Sequence, residues 1–589
     1  MSDQATTMRA VPAGSDRRIL WLSLALGFAA GLPFSLLVGS VGVWLTNAGV
    51  GFGTIGALSW IGLFYAFKFL WAPLFDWLLP PGLTTIGRRR GWMALCQIVI
   101  AGCLFAMSFT DPRESILLFA VFAVVAAFAS ASQDIVIDAW RIETANEQAT
   151  IDQISLRYQF GYRVAAIMAG AVALLLADLW ATVADAAAGW PPIFLIMAVL
   201  MALCVLASFA APEPLLRPKA PALETAAQDA AADAETGRIR RAAVVPVAIG
   251  WALSGAALVG FMFYTLWDQE ISAAEFRDAA VPWILLATIG LPLALSFWLV
   301  RKPGVMDAPV SAKRMSDVLF QRVLAPLADV VRRYWLWAIP VLLLAMTYRI
   351  ADSIWGSFAN PFYISILEHS NSDVAVASKM VGVFATLGGI ALGGLAIALV
   401  GRMPALIVGA VLASVTNLLY ADLALGASWI TEFLRVTGIG PVFSFFLEGF
   451  VGAVQGTGAT IFDGVTVNDR LTQLTAVITM ENLAGGFASA VHIAWLSSIV
   501  NRDFAAVQYA LLASMAMLIG VIFRPRIGAY VDQVKDQGLE AQADRFADVF
   551  IFAAWIGVAA IVLAGVEWYR QSREKAQAQA AAPAPSAAE

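Results

Sequence analysis

The chain has 589 residues, of which 60% are hydrophobic and only 13% charged. A soluble domain carries roughly a quarter charged residues, so this composition excludes a water-soluble globular protein and puts most of the chain in lipid. A net charge of −5 gives no reason to expect a nucleic-acid partner; how the charges are sorted between the two sides of a membrane says more.

In chain order, a span needs about 20 apolar residues. Runs 19–45, 91–109, 116–140, 190–211, 244–267, 279–300 and 546–567 meet that length cleanly. Runs 54–75, 154–180, 335–358, 374–399, 404–424, 472–499 and 505–531 meet it only if an internal polar residue is tolerated. The expectation is an all-α polytopic membrane protein of about fourteen spans. Arg and Lys cluster before the first span, at Arg88–Arg90, in 212–243, in 301–334 and after the last span, whereas 46–53 and 364–373 have none. By the positive-inside rule both termini lie in the cytoplasm. No cleavable signal peptide is evident.

The expected domains are a cytoplasmic N-terminus (1–18), a six-helix half (19–211), a Pro- and Ala-rich cytoplasmic linker (212–243) and a transmembrane hairpin (244–300). A cytoplasmic linker (301–334) follows, in which Val318, Leu319, Val323 and Leu327 recur at helical spacing beside basic residues. This suits an amphipathic helix on the inner leaflet or a plain linker helix. A second six-helix half (335–567) carries a Gly-rich insertion at 425–470 that is external or re-entrant, and 568–589 is a disordered cytoplasmic tail. Removing the hairpin leaves six spans and six spans joined by a cytoplasmic loop, the layout of major facilitator transporters.

Charges at membrane depth cost about 2.5–3.5 kcal/mol each on insertion scales, so they face a cavity and find partners. The first half holds Lys68, Asp134, Asp138 and Arg163, and the second holds Arg349, Asp352, Lys379, Glu481 and Arg524. Ser130, Asp134, Asp138 and Arg141 step by four, four and three, which places them on one helix stripe. Asp138 with Arg141 reads as a structural pair near the inner mouth. Asp134, a turn deeper, reads as a proton carrier, with Asp352 and Glu481 as the other candidates. Counting helical rise, Lys68, Asp134 and Arg163 fall in an inner cluster, and Asp352, Lys379 and Glu481 in an outer one with Arg349 nearer the middle. Arg offers a bidentate fork to substrate carboxylates, and Tyr65, Tyr158 and Tyr162 could stack on sugar rings. His369 reads as a solvated loop residue and His492 as part of a polar relay with Glu481. Cys96, Cys103 and Cys204 read as buried hydrophobes, with no metal spacing and no cofactor motif. An embedded enzyme would need a nucleophile–base pair or a metal cluster, which two separated His and no Cys pair do not supply.

The run "SASQDIVIDAWRIE" (130–143) resembles the signature of the muropeptide permease AmpG family, in the major facilitator branch that includes acetyl-CoA transporters. So do "GFAAGLPFSLL" (27–37), "YAFKFLWAPLFD" (65–76), "GRRRGW" (87–92) and "GYRVAAIMAGAVALLLAD" (161–178). In the second half "YRIADS" (348–353), "SKMVGVFATLGGIALGG" (378–394), "ENLAGGFASA" (481–490) and "AAVQYALLAS" (505–514) resemble it in the same order. The likeness leaves out the linker, 244–300 and 425–470. It implies a major facilitator fold, the inner membrane of a Gram-negative bacterium, and proton-driven import of N-acetylglucosaminyl-anhydromuramyl peptides for cell-wall recycling, a process tied to β-lactamase induction. It implies substrate-binding roles for Gln133, Lys68, Tyr162, Arg163, Arg349, Lys379 and Asn482, with Arg349 standing where the family leads one to expect Lys. It also implies a cytoplasmic latch of Asp76 with Arg88 and Arg89. The expected partners are the bilayer, protons and a small anionic glycopeptide, bound by a monomer. The alternative substrate is another anion, such as a CoA ester or a different peptide-sugar conjugate.

Overall fold

A computed structural model describes residues 13–50, 58, 61–145, 148–182, 185, 187–214, 230–267, 273–308, 315–359, 362–456 and 465–581. The first half contains α1 (Ala13–Ser35), α2 (Gly62–Phe67), α3 (Ala72–Trp77), α4 (Arg88–Ser108), α5 (Ile116–Thr144), α6 (Gln148–Ile167) and α7 (Trp190–Ala210). The long α8 (Ala230–Trp267) and α9 (Leu291–Val300) follow, then α10 (Ala325–Tyr334). The second half contains α11 (Ala338–Thr347), α12 (Ile350–Trp355), α13 (Gly382–Val400), α14 (Arg402–Ala424), α15 (Ser428–Thr437) and α16 (Ile439–Gln455). It closes with α17 (Asp469–Ile499), α18 (Ala505–Asp532) and α19 (Leu539–Ala581).

Among the described residues ten helices are long and apolar enough to cross a membrane, and α15 with α16, bent by 96°, raises the number to eleven. The expected fourteen is therefore not confirmed. Several expected spans are interrupted rather than continuous. The run at 54–75 becomes α2, a 3-10 turn at Lys68–Leu70 and α3. Pro73 near the start of α3 supplies no backbone N–H and cannot continue the preceding helix.

The two halves repeat a device at the side where the described chain starts and ends. Gly87, with φ 109° and ψ 164°, leads into α4, and Gly401, with φ 85° and ψ 168°, leads into α14. A side chain is strained at such positive φ, so each reversal uses glycine. Glycines also set two tight helix pairings. A Cβ at Gly27 or Gly161 would run into the backbone carbonyl of Tyr158 or Leu24, so α1 and α6 touch along their main chains. Gly389 and Gly486 do the same for α13 and α17.

The hairpin between the halves packs against the second span, where Trp251 of α8 meets Phe69 edge-on with centroids 5.7 Å apart. Arg240, buried on α8 ahead of the hairpin, donates to the carbonyls of Val305 and Ala308 and lies over the Phe320 ring. The linker helix α10 turns Leu327, Val330 and Val331 into the protein rather than toward lipid.

Candidate functional site

The turn at Lys68 brings its ammonium to the polar stripe of α5. Lys68 Nζ lies 3.7 Å from Asp134 Oδ2 and 3.5 Å from Asp138 Oδ2, and Arg141 Nη2 lies 3.1 Å from Asp138 Oδ1. All four residues are at most 7% exposed. Two carboxylates and two cations form one neutral group, which is how buried charge is tolerated. Asp134 Oδ1 has no hydrogen-bond partner. The Arg141 guanidinium sits over two tyrosine rings, Tyr158 of α6 at 4.8 Å and Tyr509 of α18 at 5.0 Å. The cluster therefore touches the second half through Tyr509. The expected Asp138–Arg141 pair is present, and Lys68 links it to Asp134, one turn deeper.

The second group forms around Arg349, at the break between α11 and α12. Its Nη2 lies 2.9 Å from Asp352 Oδ2, and its Nη1 donates to the Gly485 carbonyl at 2.7 Å and to Ser489 Oγ. Glu481 Oε2 accepts from Asn482 Nδ2 at 3.0 Å, and Asn482 Oδ1 accepts from Thr386 Oγ1 at 2.8 Å. Glu481 forms no ion pair among the described residues.

Arg163 belongs with this second group and not with Lys68 and Asp134, which corrects the expected inner cluster. The charges acting on it are Arg349 and Glu481 of the other half. Arg163 lies fifteen residues into α6 from Gln148, about 22 Å of rise, whereas Asp134 lies ten residues from the end of α5, about 15 Å. The extra depth carries Arg163 past the Lys68 cluster. Arg163 makes no ion pair or side-chain hydrogen bond among the described residues, and its Nε is buried without a partner.

At the chain-terminal side Arg89 Nη2 lies 2.6 Å from Asp76 Oδ1, and its Nε donates to Glu143 Oε2 at 2.9 Å. Arg88 donates to the Asp76 carbonyl at 2.9 Å and sits 3.6 Å from Glu143. Glu143, on the last turn of α5, is part of this latch. A second tie joins the halves: Arg402 at the start of α14 pairs with Asp152 of α6, Nη2 to Oδ2 at 2.9 Å and Nε to Oδ1 at 3.2 Å.

The other sequence candidates divide. Gln133 is fully buried and donates its amide to the Ala29 carbonyl at 2.8 Å, bracing α5 on α1 rather than opening to a ligand. Tyr162 is half-buried beside Phe34, which in turn meets Tyr65 edge-on at 4.7 Å. The side chains of Lys379 and Arg524 lie outside the described residues. His492 is stacked on Tyr348 at 4.5 Å with its Nε2 unpartnered, so it forms no relay to Glu481. His369 is buried, 3.8 Å from Asp373, and not solvated as expected. Tyr509, Asp152 and Arg402 escaped the sequence reading. Tyr509 lies in the motif "AAVQYALLAS", but nothing in its local pattern tells which half its ring faces.

No family model matches the chain. It is 27% identical over 511 residues to the anhydromuropeptide permease of Escherichia coli strain K12, covering 86% of this chain and 73% of the relative. It is 22% identical over 511 residues to the putative transporter AmpG 4 of Rickettsia conorii, covering 87% and 89% of the two chains. Among solved structures, the major facilitator proton:xylose symporter XylE matches with a TM-score of 0.50 at 11% identity, over 92% of this chain and 95% of that one. The chain is a multi-pass membrane protein that shares the fold of the major facilitator protein XylE, and its likeness to the anhydromuropeptide permease extends over 86% of its length.

Proposed function

We propose that the chain imports anhydromuropeptides across the bacterial inner membrane together with protons, as a monomer with both termini in the cytoplasm. In this reading the halves alternate access around the two charge groups, and the hairpin at 244–300 is an accessory to them. The observation that carries it is Arg163, a cation of one half with no partner of its own, opposite Glu481 and Arg349 of the other. An unpaired cation at membrane depth is costly, and an anionic substrate pairs with Arg163 directly, where Glu481 acts on it only across the gap. Muropeptides carry carboxylates for Arg163 and sugar rings for the aromatic side chains of Phe34, Tyr65 and Tyr162. Asp134, Asp352 and Glu481 supply carboxylates for proton coupling. The relatives' name, anhydromuropeptide permease, supports this choice of anion.

Proteoliposomes holding the purified chain test the reading. Labelled anhydromuropeptide should accumulate above its outside concentration under an inward proton gradient, and a protonophore should abolish the accumulation. Uptake of a CoA ester with none of the muropeptide would overturn it.

A further inference from the structure

Three carboxylates are available for coupling, Asp134 buried and Asp352 and Glu481 half-buried, and their surroundings differ. Asp134 is held by Lys68 at 3.7 Å, and Asp352 is held by Arg349 at 2.9 Å. Glu481 has no ion pair among the described residues; its hydrogen-bond partner is the neutral amide of Asn482. The Asn482 side chain is itself fixed, donating to the Ile478 carbonyl at 2.9 Å and accepting from Thr386. Glu481 therefore stands on a rigid shelf of α17 and faces the gap between the halves.

The groups around it come from every neighbouring element. Arg349 acts on it from the break between α11 and α12, Asp352 from α12, Arg163 from α6, Tyr420 from α14 and Tyr363 from the helical turn after α12. Lys379 precedes α13, and its side chain lies outside the described residues. A Cβ placed on Gly485 would lie 3.7 Å from both Arg349 Nη2 and Glu481 Oε1, so a small opening separates guanidinium from carboxylate there.

Charge balance then decides what an anion does on entering. Arg349 and Asp352 cancel, and Arg163 and ionised Glu481 cancel across the gap. A substrate carboxylate that reaches Arg163 adds one uncompensated negative charge beside Glu481, in a region where burial makes like charges repel strongly. One proton on Glu481 restores neutrality and turns a repelling acceptor into a donor toward the substrate. We infer that Glu481 is the coupling carboxylate, taking up one proton as the substrate's carboxylate engages Arg163 and losing it when the substrate leaves. This rests on the proposed muropeptide reading. Proton and substrate then favour one another's binding by the same factor, as linkage requires.

The test is binding of anhydromuropeptide to the purified full-length protein in weakly buffered detergent, with a pH indicator. The native protein should take up close to one proton per bound substrate. Its affinity should fall about tenfold per pH unit once Glu481 is ionised. Glu481→Gln, which keeps the size and the acceptor for Asn482, should bind without proton uptake and with a flat pH profile. In proteoliposomes it should exchange labelled substrate but fail to accumulate it, while Glu432→Gln, at an exposed carboxylate, should accumulate like the native chain. Binding by the native protein without proton uptake would overturn the inference and leave the transport reading standing. Gradient-driven accumulation by Glu481→Gln would also overturn it. Failure of the native protein to bind any anhydromuropeptide would overturn the reading and the inference together.

Discussion

Arg402 and Asp152 lie 250 positions apart and close a two-point ion pair between the halves, with contacts of 2.9 and 3.2 Å. Both side chains are at most 15% exposed, so water screens the pair weakly, and its paired N–H donors define one geometry. It closes the chain-terminal side of the interface. Asp152→Asn should weaken that closure by about 1–3 kcal/mol, a shift of roughly 5- to 150-fold in the balance of open and closed forms. A cysteine placed at Ala506, buried at the start of α18, should then be labelled faster by a membrane-impermeant reagent. Unchanged labelling would show that the pair does not hold the halves together.

Lys68 contacts two carboxylates at once, and breaking such a buried pair costs about 3–5 kcal/mol. Lys68→Met should lower thermal stability in detergent by that amount. Adding Asp134→Asn should recover part of the loss, because Asp138 keeps Arg141 at 3.1 Å. Equal melting of the single and double variants would show that Lys68 and Asp134 do not interact.

Arg163 makes no ion pair or side-chain hydrogen bond among the described residues, and its Nε is buried without a partner. Arg163→Gln should therefore not lower the melting temperature and should raise KM for muropeptide about 10- to 100-fold, the range for a lost hydrogen bond to a charged group. Arg163→Lys should restore part of the affinity, since it keeps the charge without the fork. A drop in stability with unaltered KM would remove Arg163 from the site.

Gly161→Ala would drive a methyl group into the backbone carbonyl of Leu24, where no rotamer change relieves it. A loss of about 3 kcal/mol or more is expected, with separation of α1 from α6. Gly102→Ala, with nothing near the added carbon, should melt like the native chain. Similar behaviour of the two variants would show that α1 and α6 are not in main-chain contact.

His369 lies in the loop before Asn371, outside the spans, and burial holds its imidazole below the ordinary value of 6.5, with Arg470 acting in the same direction and Asp373 against it. The unfolded chain thus binds this proton at higher pH than the folded one. Stability should be constant above about 6.5 and fall as pH drops through the window below it. Thermal melts of His369→Gln should show a smaller fall over that window than the native chain. An identical pH profile would mean that His369 does not titrate differently on folding.

What the sequence determined by itself follows from local rules. Composition and run length set the membrane class. Helical spacing put Asp134, Asp138 and Arg141 on one face, because neighbours three or four residues apart meet within a single helix. The polar residues inside the runs marked the places that needed partners. The choice of those partners came from the tertiary structure. Lys68 reaches α5 only because the second span breaks beside Pro73. Arg163 passes the cluster assigned to it because α6 rises about 7 Å further before presenting it. Tyr509 meets Arg141, and Asp152 meets Arg402, only where two halves of the chain dock, a contact that no local periodicity encodes. Spacing within one helix shows which residues share a face, and the packing of helices against one another decides what that face meets.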